Sequence, residues 1–329
     1  MEVLTVSATH PEPSLITRAA DTLARGGLVA FPTETVYGLG ANALDPAAVR
    51  RIFNVKGRPD QNPLIAHVAS ATEAAALVTD WPDIAARLSA QFWPGPLTLV
   101  LPKRSSVPDE VTAGLPAVAV RVPAHPVALA LLRAAQLPIA APSANRFTEL
   151  SPTTAEHVMK SLGAGVDLVL DAGPTAVGIE STVLDLTGER PRLLRPGMVT
   201  VAELESVIGP IAMAPRPRNS DARLSPGMHD RHYAPRARLV LCTASEAESL
   251  VFTAGRERLV GALPIGSDPW PARHVIRMPD DPVTYASRLY ASLHSLDELD
   301  CQLILVELPP DSGAWLGVRD RLARAAHPG

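Results

Sequence analysis

The stretch FPTETVYGLGANA, residues 31–43, decides how the first half of the chain is read. It follows the apolar run Gly27-Leu28-Val29-Ala30 and mixes hydroxyls, a carboxylate and glycines, with Gly38-Leu39-Gly40 and Ala43 three further on. A dinucleotide-binding turn needs its first glycine at the strand end and a helix starting at once, so that pyrophosphate meets the helix N-terminus. Here Pro32 to Tyr37 intervene, and helical periodicity resumes only near Pro46. This spacing disfavours a pyrophosphate cradle. A second stretch, Gly173-Pro174-Thr175-Ala176-Val177-Gly178, has P-loop spacing, but Ile179 and Glu180 stand where Gly-Lys is required.

At 329 residues the chain is long for one core and suits two domains. With 47% hydrophobic and 19% charged residues it has a globular composition. A net charge of -4 and a pI near 6.1 argue against a chain built to coat nucleic acid or an anionic membrane, so any anion site must be local. Cys242 and Cys301 each fall in an apolar run and read as buried reduced thiols. The beginning MEVLTVSATHPEP lacks the basic start and apolar core of a secretory signal, and no apolar stretch reaches membrane-spanning length. A cytoplasmic protein without membrane partners is expected. Lys56, Lys103 and Lys160 are the only lysines among the 30 basic residues, which singles out Lys56 in its glycine-flanked polar loop.

Apolar spacing predicts a helix over Ser14 to Arg25, closed by Gly26-Gly27 before a strand from Leu28 to Phe31. Further strands are expected at Leu64 to Val68, Leu97 to Leu101, Val118 to Val122, Ile139 to Ala141, Leu168 to Asp171 and Ser181 to Asp185, alternating with helical segments up to Val201–Val207. That alternation predicts an α/β domain over residues 1–207. Residues 208–237 are rich in proline and read as a linker, yet they carry SPGMHDRHYAP and can serve as a functional segment. A smaller α/β domain follows over 238–329, with a helix from Asp281 to Leu299 and a strand from Gln302 to Leu308.

Several polar residues sit at expected strand ends. Lys56-Gly57-Arg58, followed by Asn62, suits phosphate oxygens, the lysine as a point charge and the arginine as a fork. Ser143 and Asn145 follow Pro142 at another strand end, where open α/β sheets place ligands. His67, Arg121, Ser181-Thr182 and Arg195 obey the same edge logic. Each has an ordinary explanation taken singly: a solvated turn, an Asn-containing turn, a core histidine, an edge charge. Ser143, Asn145, His67, Arg121, Ser181, Thr182 and Arg195 make seven strand-end positions in one domain, more than scattered placement gives.

In order, the segments FPTETVYGLGANA, KGRPDQNPLIAHV, FWPGPLTLVL, VAVRVPAHP, PIAAPSANRF, DAGPTAVGIESTVLDL and LLRPGMVT resemble the YrdC-type domain. SPGMHDRHYAP and the smaller domain resemble the two-domain Sua5 branch of that family. The resemblance implies a twisted mixed-sheet α/β domain joined through the proline-rich linker to a Rossmann-like α/β domain. It also implies synthesis of L-threonylcarbamoyladenylate from L-threonine, bicarbonate and ATP, with release of pyrophosphate. The product would pass to a tRNA threonylcarbamoyl transferase complex that modifies adenosine 37, and direct tRNA contact is left open.

By the same resemblance, Thr35, His67, Arg121 and Ser181 take threonine. Lys56, Arg58 and Asn62 take the phosphates, Lys56 and Arg58 carrying catalysis, with Ser143 and Asn145 on the α-phosphate and ribose side and Ser151 and Arg195 making further nucleotide contacts. Tyr233 closes over the nucleotide. Mg²⁺ is expected with ATP, held by phosphate oxygens and water rather than by the protein. His229 stands where relatives often carry lysine, so a ligand role there is not assigned; with His232 it makes an H-x-x-H spacing without further metal ligands nearby. The C-terminal WLGVRDRLARAA resembles the family's ending only in its DRL core.

The reaction so implied needs no protein nucleophile: catalysis is positioning and charge neutralisation. Two other classes compete. An RNA-binding module would use the Lys56, Arg58, Arg121 and Arg195 cleft and show salt-dependent RNA affinity without ATP turnover. A nicotinamide oxidoreductase is disfavoured by the missing helix start. Discrimination of threonine from serine through one methyl amounts to roughly 1 to 3 kcal/mol, so some use of serine is expected.

Overall fold

The computed structural model describes residues 1–214, 232–254, 259–266 and 269–327. Its strands in chain order are β1 (Glu2–Thr5), β2 (Val29–Pro32), β3 (Tyr37–Asn42), β4 (Ile65–His67), β5 (Leu97–Pro102), β6 (Ala117–Arg121), β7 (Ile139–Ala140), β8 (Leu168–Asp171), β9 (Thr182–Asp185), β10 (Arg192–Arg195), β11 (Ala212–Met213), β12 (Arg238–Cys242), β13 (Val260–Leu263), β14 (His274–Val275) and β15 (Leu303–Glu307). The first eleven form one mixed sheet in the order β1-β8-β2-β3-β7-β4-β6-β5-β9-β10-β11. The last four form a parallel sheet in the order β12-β15-β13-β14. A large mixed sheet with a smaller parallel one is the fold class that the sequence implied.

The large sheet is covered on both faces. Helices Pro13–Ala24 and Pro126–Ala135 pack together over one face, burying Ile16, Leu23, Val127 and Leu131 with Phe31 and Leu170. Val49, Ile52 and Phe53 of helix Pro46–Lys56 and Leu88 of helix Asp83–Phe92 cover the other, against Leu39, Leu99 and Val120. Asp45 caps the former helix by accepting the Ala47 N–H, and Pro46 begins it with its φ already set. The small sheet has its own core, in which Leu289, Leu293 and Leu296 of helix Pro282–Glu298 pack with Ile304 and Val306. Cys242 and Cys301 are buried and unpaired, as expected.

The opening stretch behaves differently from the reading of its pattern. Tyr37–Asn42 is a strand, pairing antiparallel with β2 in the register Val29↔Gly40 and Phe31↔Gly38. Its two glycines interrupt the apolar alternation, which is why the pattern hid it. They are needed for space: a Cβ at Gly40 would lie 2.8 Å from both Ile139 Cγ2 and Phe31 Cε1.

Candidate active site

The strand registers explain which side chains meet. β4 and β6 are parallel neighbours with His67 opposite Arg121, so both sit at carboxyl ends. Ser181 immediately precedes β9, which runs parallel to β5, and Arg195 ends β10. β7 runs antiparallel to β4, however, so Ser143 arrives from the opposite direction. The cleft therefore crosses a twisted sheet instead of following one carboxyl edge, as the edge logic implied. Contact of Arg121 with Thr35, in the turn between the distant β2 and β3, is the clearest sign of that twist.

Between β2 and β3 the chain turns on its own hydroxyls. Thr33 Oγ1 donates to Val36 O at 2.6 Å and accepts the Thr35 and Val36 N–H groups. Thr35 Oγ1 lies 2.8 Å from Thr33 Oγ1 and accepts from Arg121 at 3.1 Å. Arg121 also donates to Glu34 Oε1 at 2.6 Å and to Gly95 O at 3.2 Å. Glu34 is completed by the Ala124 N–H. A guanidinium has five N–H groups, so Arg121 retains two for a further acceptor.

Beside it, burial and then the Arg121 charge push the His67 imidazole down to about 3, which makes it neutral. Its ring meets Phe31 edge-on, and Nδ1 is buried with no protein partner. Ser181 Oγ pairs with Thr98 Oγ1 at 2.8 Å, and Arg195 donates to both Ser181 Oγ (3.1 Å) and Ser181 O (3.0 Å).

On the other side of the cleft, Lys56 ends its helix, and Gly57 supplies the left-handed turn at φ 60° that releases the chain. The ammonium is buried and donates to Ser143 O at 2.6 Å and to Asn145 O. Burial, reinforced by Arg58, drives its pKa well below the ordinary lysine value. Arg58 donates to Pro63 O at 3.1 Å, lies 5.9 Å from the Phe147 ring, and keeps a buried Nε without a partner. Asn145 Nδ2 donates to Arg146 O and Glu149 O, while its Oδ1 has no protein partner.

One cavity of about 50 Å³ unites Thr35, His67, Arg121 and Ser181 with Arg58, Ser143, Arg195 and Tyr233. Four other expected residues do not line it. Lys56 stands behind the Ser143–Asn145 segment that it anchors, Asn145 bonds within that segment, Asn62 lies in the loop that Arg58 holds, and Ser151 donates to Glu180 at 2.5 Å. Tyr233 is 1% exposed and adopts φ 61°, with its ring 4.0 Å from that of His232. His229 lies outside the described residues, as does most of the linker. Among the described residues, no group of three or more His, Cys, Asp or Glu is placed to hold a metal ion.

Sequence reasoning missed the charged partners. Glu34 stood in the quoted FPTET stretch, but nothing local shows that it faces Arg121 across the sheet. Glu180 is likewise buried in a loop, with its carboxylate taking hydrogen bonds from Ser151, Tyr290 and Arg321. Burial alone would raise its pKa, but Arg321 and Arg195 outweigh this and hold it below the ordinary range.

Residues 21–197 match the Sua5_yciO_yrdC family, described as "Telomere recombination", and residues 199–327 match "Threonylcarbamoyl-AMP synthase, C-terminal domain". The chain belongs to the Sua5 family. Among its Sua5 relatives, the threonylcarbamoyl-AMP synthase of Pyrococcus abyssi is 44% identical over 317 residues, covering 94% of this chain and 93% of that one. The enzyme of the same name from Bacillus subtilis is 44% identical over 324 residues, covering 94% and 92%. A crystal structure of Pyrococcus abyssi Sua5 complexed with L-threonine superposes with a TM-score of 0.94 at 41% identity, over 99% of this chain and 98% of that one. Escherichia coli YciO is similar over 60% of this chain, at 26% identity and a TM-score of 0.53.

Proposed function

We propose that this chain is a threonylcarbamoyl-AMP synthase that joins L-threonine, bicarbonate or CO2, and ATP, releasing pyrophosphate. The carrying observation is the single cavity in which Thr35, His67, Arg121 and Ser181 face Arg58, Ser143, Arg195 and Tyr233. The names of relatives aligned over more than nine-tenths of the chain support this reading over an RNA-binding module.

In this reading the threonine carboxylate takes the two remaining N–H groups of Arg121, with Thr35 and Ser181 beside it. Neutral His67 offers its unpartnered Nδ1 to the substrate without adding charge. The threonine amine bonds to the carbon of CO2 and releases a proton to solvent, giving a carbamate. A carbamate oxygen then bonds to the α-phosphorus of ATP as the bond from that phosphorus to the bridging oxygen breaks, and pyrophosphate leaves with the electron pair. Arg58 and Arg195 neutralise charge on the phosphates, and Lys56 holds the Ser143–Asn145 wall in register.

ATP enters as its Mg²⁺ complex, the ion being carried by phosphate oxygens, and no protein ligand is assigned to it. A cavity of about 50 Å³ is too small for a nucleotide, so in this reading the lining opens for ATP, with Tyr233 as the moving wall. Closed again, it would shield a hydrolysis-prone carbamate and product.

Residues 1–207, whose sheet β11 extends to Met213, would then be the catalytic domain, with the linker leading on to 237 and the second domain over 238–329. The product passes to a tRNA threonylcarbamoyl transferase complex in the cytoplasm. Among the described residues no helix is long and apolar enough to cross a membrane. The test is pyrophosphate release assayed with each substrate withheld in turn. Release that needs both L-threonine and bicarbonate supports the synthase; release indifferent to both contradicts it.

A further inference from the structure

The loop Gly178–Ser181 carries Ser181 into the cleft, and the second unit packs directly against its back. A Cβ on Gly178 would lie 2.4 Å from Ala286 O on helix Pro282–Glu298. One on Gly317, in helix Leu316–Ala325, would lie 2.8 Å from Gly197 O, and one on Gly197 would lie 2.8 Å from Glu180 O and 2.5 Å from Thr182 N. Backbone thus touches backbone from the second unit's helices through Gly197 to the Ser181 loop.

Beside this stack lies a charged pair shared between the two units. Arg321, from helix Leu316–Ala325, is 1% exposed and donates Nε to Glu180 Oε2 at 2.6 Å, a second N–H to Glu180 O at 3.2 Å, and a third to Asp320 Oδ2 at 2.7 Å. The same guanidinium lies 5.2 Å from the centre of the Tyr233 ring, whose centre lies 5.9 Å from that of Tyr290. Glu180 and Tyr233 line the cavity; Arg321 does not.

We propose that Arg321 is a positioning residue of the active site. Through Glu180 it fixes the loop that presents Ser181, and through the Tyr233 ring it fixes the wall over the nucleotide, so the second unit completes the first unit's substrate cavity. This rests on reading that cavity as the site for threonine and ATP. Without Arg321 the Glu180 carboxylate is a buried charge missing its main partner, and the loop must shift to hydrate it or take up a proton.

The full chain carrying Arg321→Met, Arg321→Lys or Gly317→Ala is compared with wild type by hydrogen exchange of residues 178–182, calorimetric binding of L-threonine without ATP, and steady-state pyrophosphate release. The expected result for Arg321→Met is faster exchange in that loop, L-threonine affinity weakened by about tenfold to a hundredfold, and a rise in KM that exceeds the fall in kcat. Arg321→Lys restores most of the affinity. Adding Glu180→Gln to Arg321→Met recovers part of it, since no orphan charge then remains. Should Arg321→Met fail to fold, Gly317→Ala keeps every charge, displaces the helix, and is read the same way.

Folded variants with lowered melting temperature but unchanged L-threonine affinity overturn the positioning role while leaving the synthase reading intact. A wild-type protein that binds no L-threonine overturns both.

Discussion

Arg121 and Glu34 form a buried ion pair, 2.6 Å between guanidinium nitrogen and Oε1, at the threonine side of the cleft. Glu34 is also held by the Ala124 N–H, so its geometry is set before any ligand arrives. A bare buried arginine would be costly, and the pair resolves this while leaving two N–H groups for a carboxylate. Glu34→Gln keeps the shape but removes the charge from a charge-assisted bond, expected to cost roughly 1.5 to 3 kcal/mol in stability. The KM for threonine should rise with little change in kcat. Unaltered threonine kinetics would place the pair outside substrate binding.

Lys56 separates a structural role from a direct phosphate contact. In Lys56→Met, two buried carbonyls, Ser143 O and Asn145 O, lose their donor, with an expected loss of about 1 to 3 kcal/mol for each that stays unsatisfied. Thermal stability and apparent ATP affinity should therefore fall together. A variant as stable as wild type but deficient in ATP use would make Lys56 a phosphate ligand alone.

Histidines set the expected pH dependence. Burial pushes His157 down to about 4 and also lowers His294; their rings stack with centres 3.7 Å apart across the seam between the units. Both are bases with folded pKa values depressed below the unfolded value near 6.5. The folded state thus binds fewer protons than the unfolded one between those values. The His157 contribution is complete above about pH 6.5 and is lost as pH falls toward 4, and His294 acts in the same direction. Melting temperature should decline over that interval, and His157→Asn should flatten the decline. A slope identical to wild type would show that the stack does not set the pH dependence of stability.

Tyr233 is buried, so Tyr233→Ala loses packing as well as any cover over the nucleotide. Tyr233→Phe keeps the ring between Arg321 and Tyr290 and isolates the hydroxyl. The alanine variant should release product or hydrolyse intermediate faster, beyond its loss of stability, whereas the phenylalanine variant should retain it. Equal effects on retention and on melting temperature would leave Tyr233 as core alone.

The α/β alternation, the helix starting at Pro46 and the strand ends bearing His67, Arg121 and Arg195 were legible because short-range periodicity and turn residues dictate them. β3 was not, because Gly38 and Gly40 are there for space beside Phe31 and Ile139, a long-range demand. The same holds for Lys56, whose isolated ammonium suggests phosphate in the sequence but bonds to carbonyls some ninety residues on. Glu34, Glu180 and Arg321 acquire meaning only through partners brought near by sheet twist or by the packing of the two units. Charge pairing at such separations leaves no local signature.

In the proposed reaction a carbamate oxygen derived from bicarbonate becomes bonded to the α-phosphorus of ATP in this cavity. The most direct test is to incubate the protein with L-threonine, MgATP and ¹³C-bicarbonate and to analyse the adenylate product by mass spectrometry. The expected product is a threonine-dependent AMP ester carrying the label, formed in step with pyrophosphate and abolished by Arg121→Met. Pyrophosphate release with an unlabelled adenylate, or none at all from the folded protein, would contradict it.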